Sequence, residues 1–346
     1  MRKRFLFTTT LLAGALPALA QGPEPFLKTY GTFTDAEIEE VDSGQVVVKT
    51  LPSPAKNEVA ILGVARVRAN TDFFVRMYED IERFETGWGV TKEISDPPRI
   101  EDFAKLAFPP DDLTALKDCK VGDCDFKIGE AALEHFQNEV DWSDPGAPGR
   151  VNQFFRERAL EYAKGYLAGG NDALGVYADK GKPTAVKDQF EDLLKNSPYI
   201  HTYRPELDTY LLDYPKATLS GATDFLYWGL IDFGSKPLLH LSHVTIYRPT
   251  PGANENVFIT SKHLYYSHYF HTGLDLYTLV KDAEHPDDGF YLVALSRYRT
   301  DLPSGLFGKM AIKTAQDSAR GSVERYLTST QAAIGKYFAE ERARTK

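Results

Sequence analysis

A segment rich in histidine and tyrosine, residues 263–271, holds the residue types best suited to contacting a polar ligand. If the segment is one extended strand, side chains two residues apart share a face. One face then carries His263, Tyr265, Ser267, Tyr269 and His271. Such a face suits the wall of a pocket that holds an apolar body and hydrogen-bonds a polar head. His263 and His271 would lie roughly 26 Å apart on that strand, so we expect that they do not bind one metal ion.

Two other groups of residues have spacings that could serve binding. His240 and His243 form H-x-x-H, but the Leu, Val and Ile around them favour a strand, on which residues three apart face opposite ways. We therefore predict no metal site there. Arg297 and Arg299 share a strand face with Asp301, which indicates an Arg–Asp ion pair. Alternatively, Arg297 or Arg299 binds a ligand carboxylate or phosphate, because guanidinium contacts both in a bidentate manner.

The sequence lacks the signature motifs of common enzymes. It contains no G-x-S-x-G, no H-E-x-x-H and no P-loop motif. Ser53 and Lys56 match S-x-x-K, but they lie in a predicted turn without the accompanying motifs. A catalytic triad is assembled only by folding. Ser267, His268 and Asp275 are a poor candidate, because Ser267 and His268 would face opposite ways on a strand.

Residues 1–20 have the pattern of a secretory signal peptide. Three basic residues precede a short apolar core, and Ala18-Leu19-Ala20 is an A-x-A cleavage site. We expect export of residues 21–346 to the periplasm or the extracellular space, without stable membrane insertion after cleavage. The formal net charge of −9 becomes −12 once the three basic leader residues are removed, which argues against nucleic acid as a partner.

The two cysteines, Cys119 and Cys124, enclose the short segment Lys-Val-Gly-Asp. In an exported protein this spacing favours a structural disulfide, for which loop entropy gives about 2 kcal/mol. A redox-active pair usually has C-x-x-C spacing. A metal site would need more thiol or imidazole ligands, and His135 is the one candidate in range.

Three successive sections of the chain must position these residues. The first has the order strand, strand, helix, with strands at 45–51 and 59–68 and a helix that starts after Asn70 or Thr71. Short helices follow over 97–215. The last section contains strands at 225–233, 238–247, 257–280 (one strand or two) and 290–299, and then a long helix at 306–341.

This order of elements resembles the helix-grip fold of START and related lipid-binding proteins, and the resemblance rests on residues 45–84 and 225–338. It implies an α+β fold in which a curved antiparallel sheet grips a long carboxy-terminal helix. Residues 21–346 would form one domain, with 97–215 as a helical insertion. The segments 118–124 and 265–270 also resemble parts of exported bacterial proteins with no assigned function.

A ligand cavity follows from this arrangement on physical grounds. A curved sheet cannot contact a straight helix along its whole length, so a gap opens between them. Small residues at Ala315 and Ala319 would widen the gap, although the same alanines could instead allow close packing. The candidate walls are Tyr227, Trp228, Tyr265, Tyr269, Ala315 and Ala319, and the candidate polar contacts are His263, His271 and Arg297.

The sequence thus predicts an exported, non-catalytic carrier or sequestering protein for a hydrophobic or amphipathic, lipid-like small molecule. We expect it to need no cofactor and no metal. The alternative is a cell-envelope hydrolase with an acid–base pair in the same cavity, for example His271 with Asp275. A third interpretation is a protein-interaction module that uses residues 97–215 as its contact surface.

Overall fold

The computed structural model describes residues 22–233, 236–249, 256–282, 289–301 and 306–344. The predicted signal peptide and its cleavage site lie outside the described residues. Within the described ranges, no helix combines the length and the apolar character needed to cross a lipid bilayer.

A large antiparallel sheet organises the described chain. The strands are β1 Val47–Thr50, β2 Glu58–Val67, β3 Gly89–Ile94, β4 Val176–Tyr177, β5 Thr184–Ala185, β6 Ala222–Phe233, β7 Lys236–Tyr247, β8 Val257–Tyr266, β9 Phe270–Lys281 and β10 Phe290–Thr300. Eight of these pair in the order β1-β2-β10-β9-β8-β7-β6-β3, and β4 pairs with β5 alone. Strands distant in sequence, β2 and β10, are therefore neighbours at the point where the two halves of the sheet meet.

The predicted strand over 257–280 is two strands, β8 and β9, because the chain reverses direction between Tyr266 and Phe270. Tyr269 in this turn has a φ of 61°. His263 pairs across the hairpin with Gly273. The prediction that His263 and His271 share one face of a single strand, roughly 26 Å apart, is therefore wrong.

Eleven helices surround the sheet in the described chain. They are α1 Glu24–Gly31, α2 Asp35–Asp42, α3 Thr71–Glu79, α4 Ile81–Phe84, α5 Pro110–Asp118, α6 Glu130–Asn138, α7 Ala147–Gly169, α8 Val186–Lys195, α9 Pro198–Tyr203, α10 Pro205–Asp213 and α11 Leu306–Arg344. Side-chain caps from Thr34 and Asn70 begin α2 and α3, because each accepts a hydrogen bond from an otherwise unpaired backbone N–H. Helices α5–α10 fall within the predicted helical section.

The sheet lies between two helical layers. Its first face packs against α3, α4 and α11 over a core that includes Ile61, Phe74 and Leu327. Its second face packs against α1, α2 and the helices between β3 and β6, over cores that include Trp228 and Phe190. These layers confirm the predicted α+β class, with its large antiparallel sheet and long carboxy-terminal helix.

Helix α11 contacts β2 closely at Gly63. A Cβ atom at this position would lie 2.5 Å from Leu327 Cδ1 and 3.0 Å from Val323 Cγ1. Only glycine leaves room for the helix to pack this tightly without displacing those side chains. The glycine thus holds α11 against β2, while residues 318–326 of the same helix border an open space over β6–β10.

Candidate functional site

A cleft of about 460 Å³ lies between α11 and strands β6–β10. Its apolar walls are Ile231, Leu238, Phe270, Ala294, Ala319 and Val323, and its tyrosines are Tyr78, Tyr227, Tyr266, Tyr277, Tyr298 and Tyr326. The other lining side chains are Glu85, Trp88, His240, Ser261, His263, Asp275, Ser296, Ser318, Ser322 and Arg325. The cleft therefore combines aromatic surface with many hydrogen-bonding groups.

A chain of hydrogen bonds runs along the floor of the cleft. His240 Nδ1 and His263 Nδ1 lie 2.9 and 2.8 Å from Ser242 Oγ, and His263 Nε2 lies 2.8 Å from Asp275 Oδ2. The Tyr298 hydroxyl donates to Asp275 Oδ1 at 2.6 Å. His263 donates from Nε2 to Asp275, and the Ser242 hydroxyl, which can donate one hydrogen bond and accept another, links the two imidazoles. The floor is thus a continuous network across β7, β8, β9 and β10.

The pKa values of Asp275 and His240 in this network are shifted downwards. Burial opposes ionisation of Asp275, but the hydrogen bond and charge of His263, with hydrogen bonds from Ser296 and Tyr298, hold its pKa below the ordinary value. Burial, reinforced by the nearby His263, lowers the pKa of His240 to about 3. At neutral pH the network therefore holds a carboxylate at Asp275 and a neutral imidazole at His240.

Ser242, His263 and Asp275 have the connectivity of a catalytic triad, but the serine cannot attack a ligand. Ser242 has no exposed surface, and its hydroxyl is held between two imidazoles below the cleft. A nucleophile must reach the reacting carbon. Ser242 is consequently a positioning residue that orients His240 and His263.

Glu85 is the second carboxyl group of the cleft, and no sequence pattern singled it out. It follows α4 and is half-buried near Trp88. Burial, with a smaller contribution from the charge of Asp275, raises the pKa of Glu85 to about 7. A carboxyl group with this pKa can hold or release a proton near neutral pH.

The six tyrosines supply neutral hydroxyl groups. Burial raises the pKa of each of them above the ordinary value of tyrosine. Their rings form contacts such as the stacked pair Tyr277 and Tyr326, with centroids 5.7 Å apart. The tyrosines therefore offer flat apolar surface and hydrogen-bonding ends in the same wall.

The residues predicted from the sequence divide between the two faces of the sheet. Tyr227, His263 and Ala319 line the cleft. Ala315, on the same helix, packs against the apolar core of the first face. Trp228 and Tyr265 point to the opposite face, where they line a second cavity of about 230 Å³.

Three predicted contact residues lie away from the cleft walls. His271 Nε2 lies 2.5 Å from Asp301 Oδ1, and the other oxygen of Asp301 binds Lys127. The predicted pairing of His271 with Asp275 is therefore wrong, because Asp275 pairs with His263. The Tyr269 hydroxyl, in the turn before β9, accepts the backbone N–H of Lys236.

Arg297 is the third of these residues, and it has an internal partner. Its Nε donates to Glu58 Oε1 at 2.6 Å, and one of its Nη atoms donates to Ser197 Oγ at 2.6 Å. Only 4 % of Arg297 is exposed. The predicted Arg–Asp pair with Asp301 does not form, and the guanidinium faces the second helical layer, where a ligand in the cleft cannot reach it.

The predicted disulfide between Cys119 and Cys124 is present, directly after α5. The backbone N–H of Gly122 within the loop donates to Ala178 at 2.7 Å, and that of Cys124 donates to Asp179 at 2.9 Å. Both cysteines are buried in the apolar core beneath α6 and α7. The disulfide therefore fastens the loop within the second helical layer, on the opposite face of the sheet from the cleft.

In the described part of the chain, no three or more His, Cys, Asp and Glu side chains are arranged to hold a metal ion. The serine of the proposed Ser267–His268–Asp275 set accepts the backbone N–H of Leu239, and His268 contacts the Asp125 carbonyl, so this triad does not form. Comparison of the sequence with models of known protein families and with curated proteins gives no match. The chemistry of the cleft is consequently inferred from its own geometry.

Proposed function

We propose that the protein is an exported carrier that binds an amphipathic small molecule non-covalently in the cleft between α11 and the sheet. The observation that carries this proposal is a space of about 460 Å³ with both aromatic and hydrogen-bonding walls. Small-molecule sites of known proteins have volumes of about 300–1,000 Å³ and combine apolar walls with a few placed polar groups. The signal-peptide pattern and the disulfide support export to an oxidising space, either the periplasm or the extracellular medium.

The two carboxyl groups of the cleft favour a neutral or cationic polar head on a ligand that lies beside them, whereas the cation of the lining, Arg325, is exposed on α11 and donates to Ser322 Oγ. Asp275 is ionised at neutral pH, and Glu85 becomes ionised near pH 7. An anionic head placed beside these carboxyl groups would be repelled. A hydroxyl, amide or ammonium group would instead donate hydrogen bonds to them, while the tyrosine rings cover the apolar body.

Native mass spectrometry of the protein purified from its own host tests this proposal. We expect a stoichiometric mass increment that organic extraction removes and identifies. The Ala319→Trp variant, which places an indole in the cleft, should lose the increment, whereas Ala332→Trp at an exposed position of α11 should keep it. A clean apo mass for the wild-type protein, with no binding of added neutral or cationic amphiphiles, would overturn the carrier proposal.

A second candidate function, acid–base catalysis in the same cleft, is favoured by one specific observation. Glu85, with a pKa of about 7, and the His263–Asp275 pair line the same space. Two titratable groups of different character can serve as general acid and general base in a hydrolysis. In this candidate function, His263 replaces His271 as the partner of Asp275. Glu85 is the further titratable group in the same cleft.

A measurement of substrate turnover distinguishes a catalytic function of the cleft from the carrier function. If the cleft is catalytic, a screen of ester, amide and glycoside substrates should find an activity that Glu85→Gln lowers about 100-fold or more while binding is retained. If the protein is a carrier, wild type and Glu85→Gln should both be inactive. The interaction-module interpretation has less support, since Val121 and Val176 are the large apolar side chains exposed by residues 97–215 in the described chain.

A further inference from the structure

The second cavity, of about 230 Å³, lies on the other side of the sheet from the cleft. It is bounded by α6, α7 and β4 on the helical side and by β6, β7 and β8 on the sheet side. Phe154, Phe155, Trp228, Leu241 and Tyr265 form its walls. One side of the cavity is therefore formed by the section between β3 and β6, which the sequence pattern predicts to be a helical insertion.

Most polar atoms in the walls of this cavity already have hydrogen-bond partners within the protein. The indole N–H of Trp228 donates to the Asp102 carbonyl at 3.0 Å, and the Tyr162 hydroxyl donates to the Leu264 carbonyl at 2.8 Å. The Tyr177 hydroxyl accepts the backbone N–H of Tyr266 at 3.1 Å. Apolar cavities of about 150 Å³ in proteins stay dry and accept apolar ligands. The interior of this larger space thus suits an apolar chain.

One cation, Arg158, stands at the boundary of the cavity. Its guanidinium lies over the Phe154 ring, 5.4 Å from the centroid, and pairs with Glu161 at 3.0 Å. Both side chains of this pair are more than half exposed, at 56 % and 59 %. An exposed i,i+3 pair contributes little to stability, so Arg158 can exchange Glu161 for another carboxylate at small cost.

We propose that this cavity is a second ligand site, which takes the apolar chain of a fatty acid while the carboxylate pairs with Arg158. The site goes beyond the carrier function of the cleft, because it lies on the opposite face of the sheet and takes an anionic head group. Arg158 attracts an anion here, whereas Glu85 and Asp275 disfavour one in the cleft. Ala159, which lines the cavity from the same helix α7, has a side chain small enough to leave room for the fatty-acid chain.

Isothermal titration of the full mature protein with decanoate and with decan-1-ol, below their aggregation concentrations, tests this site. We expect decanoate to bind, Ala159→Trp to abolish its binding, and Ala168→Trp, at an exposed position of α7, to bind like wild type. Arg158→Gln should weaken decanoate about fivefold and leave decanol unchanged. Ala319→Trp in the cleft should leave decanoate binding intact.

Four results would overturn this inference or its assignment of the carboxylate. The first is that wild type binds neither probe. The second is that Ala159→Trp, with an unchanged melting temperature, binds decanoate as tightly as Ala168→Trp. The third is that Ala319→Trp, and not Ala159→Trp, removes binding, which would place the fatty acid in the cleft. An equal effect of Arg158→Gln on acid and alcohol would refute the assignment of the carboxylate to Arg158.

Discussion

Carboxyl groups on the two faces of the sheet have different partners. On the second face, Glu58 is fully enclosed and contacts two guanidinium groups, those of Arg297 and Arg299. On the first face, Asp275 contacts one imidazole and a tyrosine, and Glu85 makes no ion pair within the described chain. The charges of the cluster around Glu58 therefore neutralise one another inside the protein. Those in the cleft keep hydrogen-bonding capacity that a ligand can use.

The cleft on the first face and the cavity on the second face also differ in the polarity of their walls. The cleft under α11 has histidine, carboxyl and tyrosine groups in its walls, whereas the cavity under α6 and α7 is lined mainly by apolar side chains. Burying polar groups costs free energy unless they are paired. Glu85 is such a group, because burial raises its pKa to about 7 and it makes no ion pair within the described chain.

Glu58→Gln tests the structural side of this comparison and should have the largest effect. Removal of the charge leaves the two buried arginines without their shared counter-ion, and breaking a buried ion pair typically costs about 3–5 kcal/mol. We expect a loss near the lower end of that range in urea unfolding. Glu85→Gln is the control and should not destabilise the protein at pH 7, because burial disfavours the ionised carboxyl that it removes. Equal losses in the two variants would refute the distinction between the faces.

Sequence patterns predicted the elements of the sheet better than the partners of its side chains. The alternating and β-branched runs at 225–233 and 238–247 lie within β6 and β7, and the apolar periodicity after residue 306 corresponds to α11. Local periodicity suffices for such elements. The partner of Arg297 is Glu58, which is 239 positions away, and no local pattern could identify it.

The turn between β8 and β9 explains why the candidate site was only partly predicted. Ser-His-Tyr contains none of the Gly, Pro, Asn or Asp residues that usually mark a turn, and Tyr269 takes a φ value that is uncommon outside glycine. Reading through this turn placed His271 on the face of His263. Tyr265 faces the other way for a different reason, because the pairing of β7 with β8 shifts register between it and His263. Glu85 was missed because its position in the cleft depends on how α4 packs beneath α11.

Gly63→Ala should have the next largest effect, because it tests how α11 is held over the cleft. The new methyl group would meet Leu327 and Val323, and overpacking of this kind costs about 1–3 kcal/mol. The helix should move away from β2, so binding in the cleft should weaken while decanoate binding on the second face stays unchanged. Gly335→Ala, in an open part of α11, should be neutral or slightly stabilising in the same thermal and titration measurements. Parallel losses in both spaces would contradict this.

Glu85→Gln should flatten the dependence of stability on pH. The pKa of Glu85 is raised from 4.5 to about 7 in the folded protein, so the folded state binds this proton more tightly than the unfolded state does. Its contribution to stability is present below about pH 4.5 and is lost as the pH rises to about 7. Urea unfolding between pH 4.5 and 8 should show this decline in wild type and a smaller decline in Glu85→Gln. The exposed Glu134→Gln is the control, and an unchanged slope in Glu85→Gln would exclude this carboxyl as the cause.

Tyr265→Phe should have the smallest effect on the free energy of unfolding. The sign of that change shows whether the Tyr265 hydroxyl makes a stabilising polar contact on the second face. The Tyr265 hydroxyl is buried and has no hydrogen-bond partner among the described residues, while its ring lines the apolar cavity. An unsatisfied buried hydroxyl is unfavourable, so its removal should raise the free energy of unfolding by up to about 1 kcal/mol. Decanoate should still bind, because the ring remains and the carboxylate is assigned to Arg158. Tyr298→Phe in the cleft removes a hydroxyl that donates to Asp275 and should destabilise the protein in the same melting experiment. If Tyr265→Phe also destabilised the protein, the second face would contain a polar contact comparable to those of the cleft, and the contrast between an apolar cavity and a polar cleft would not hold.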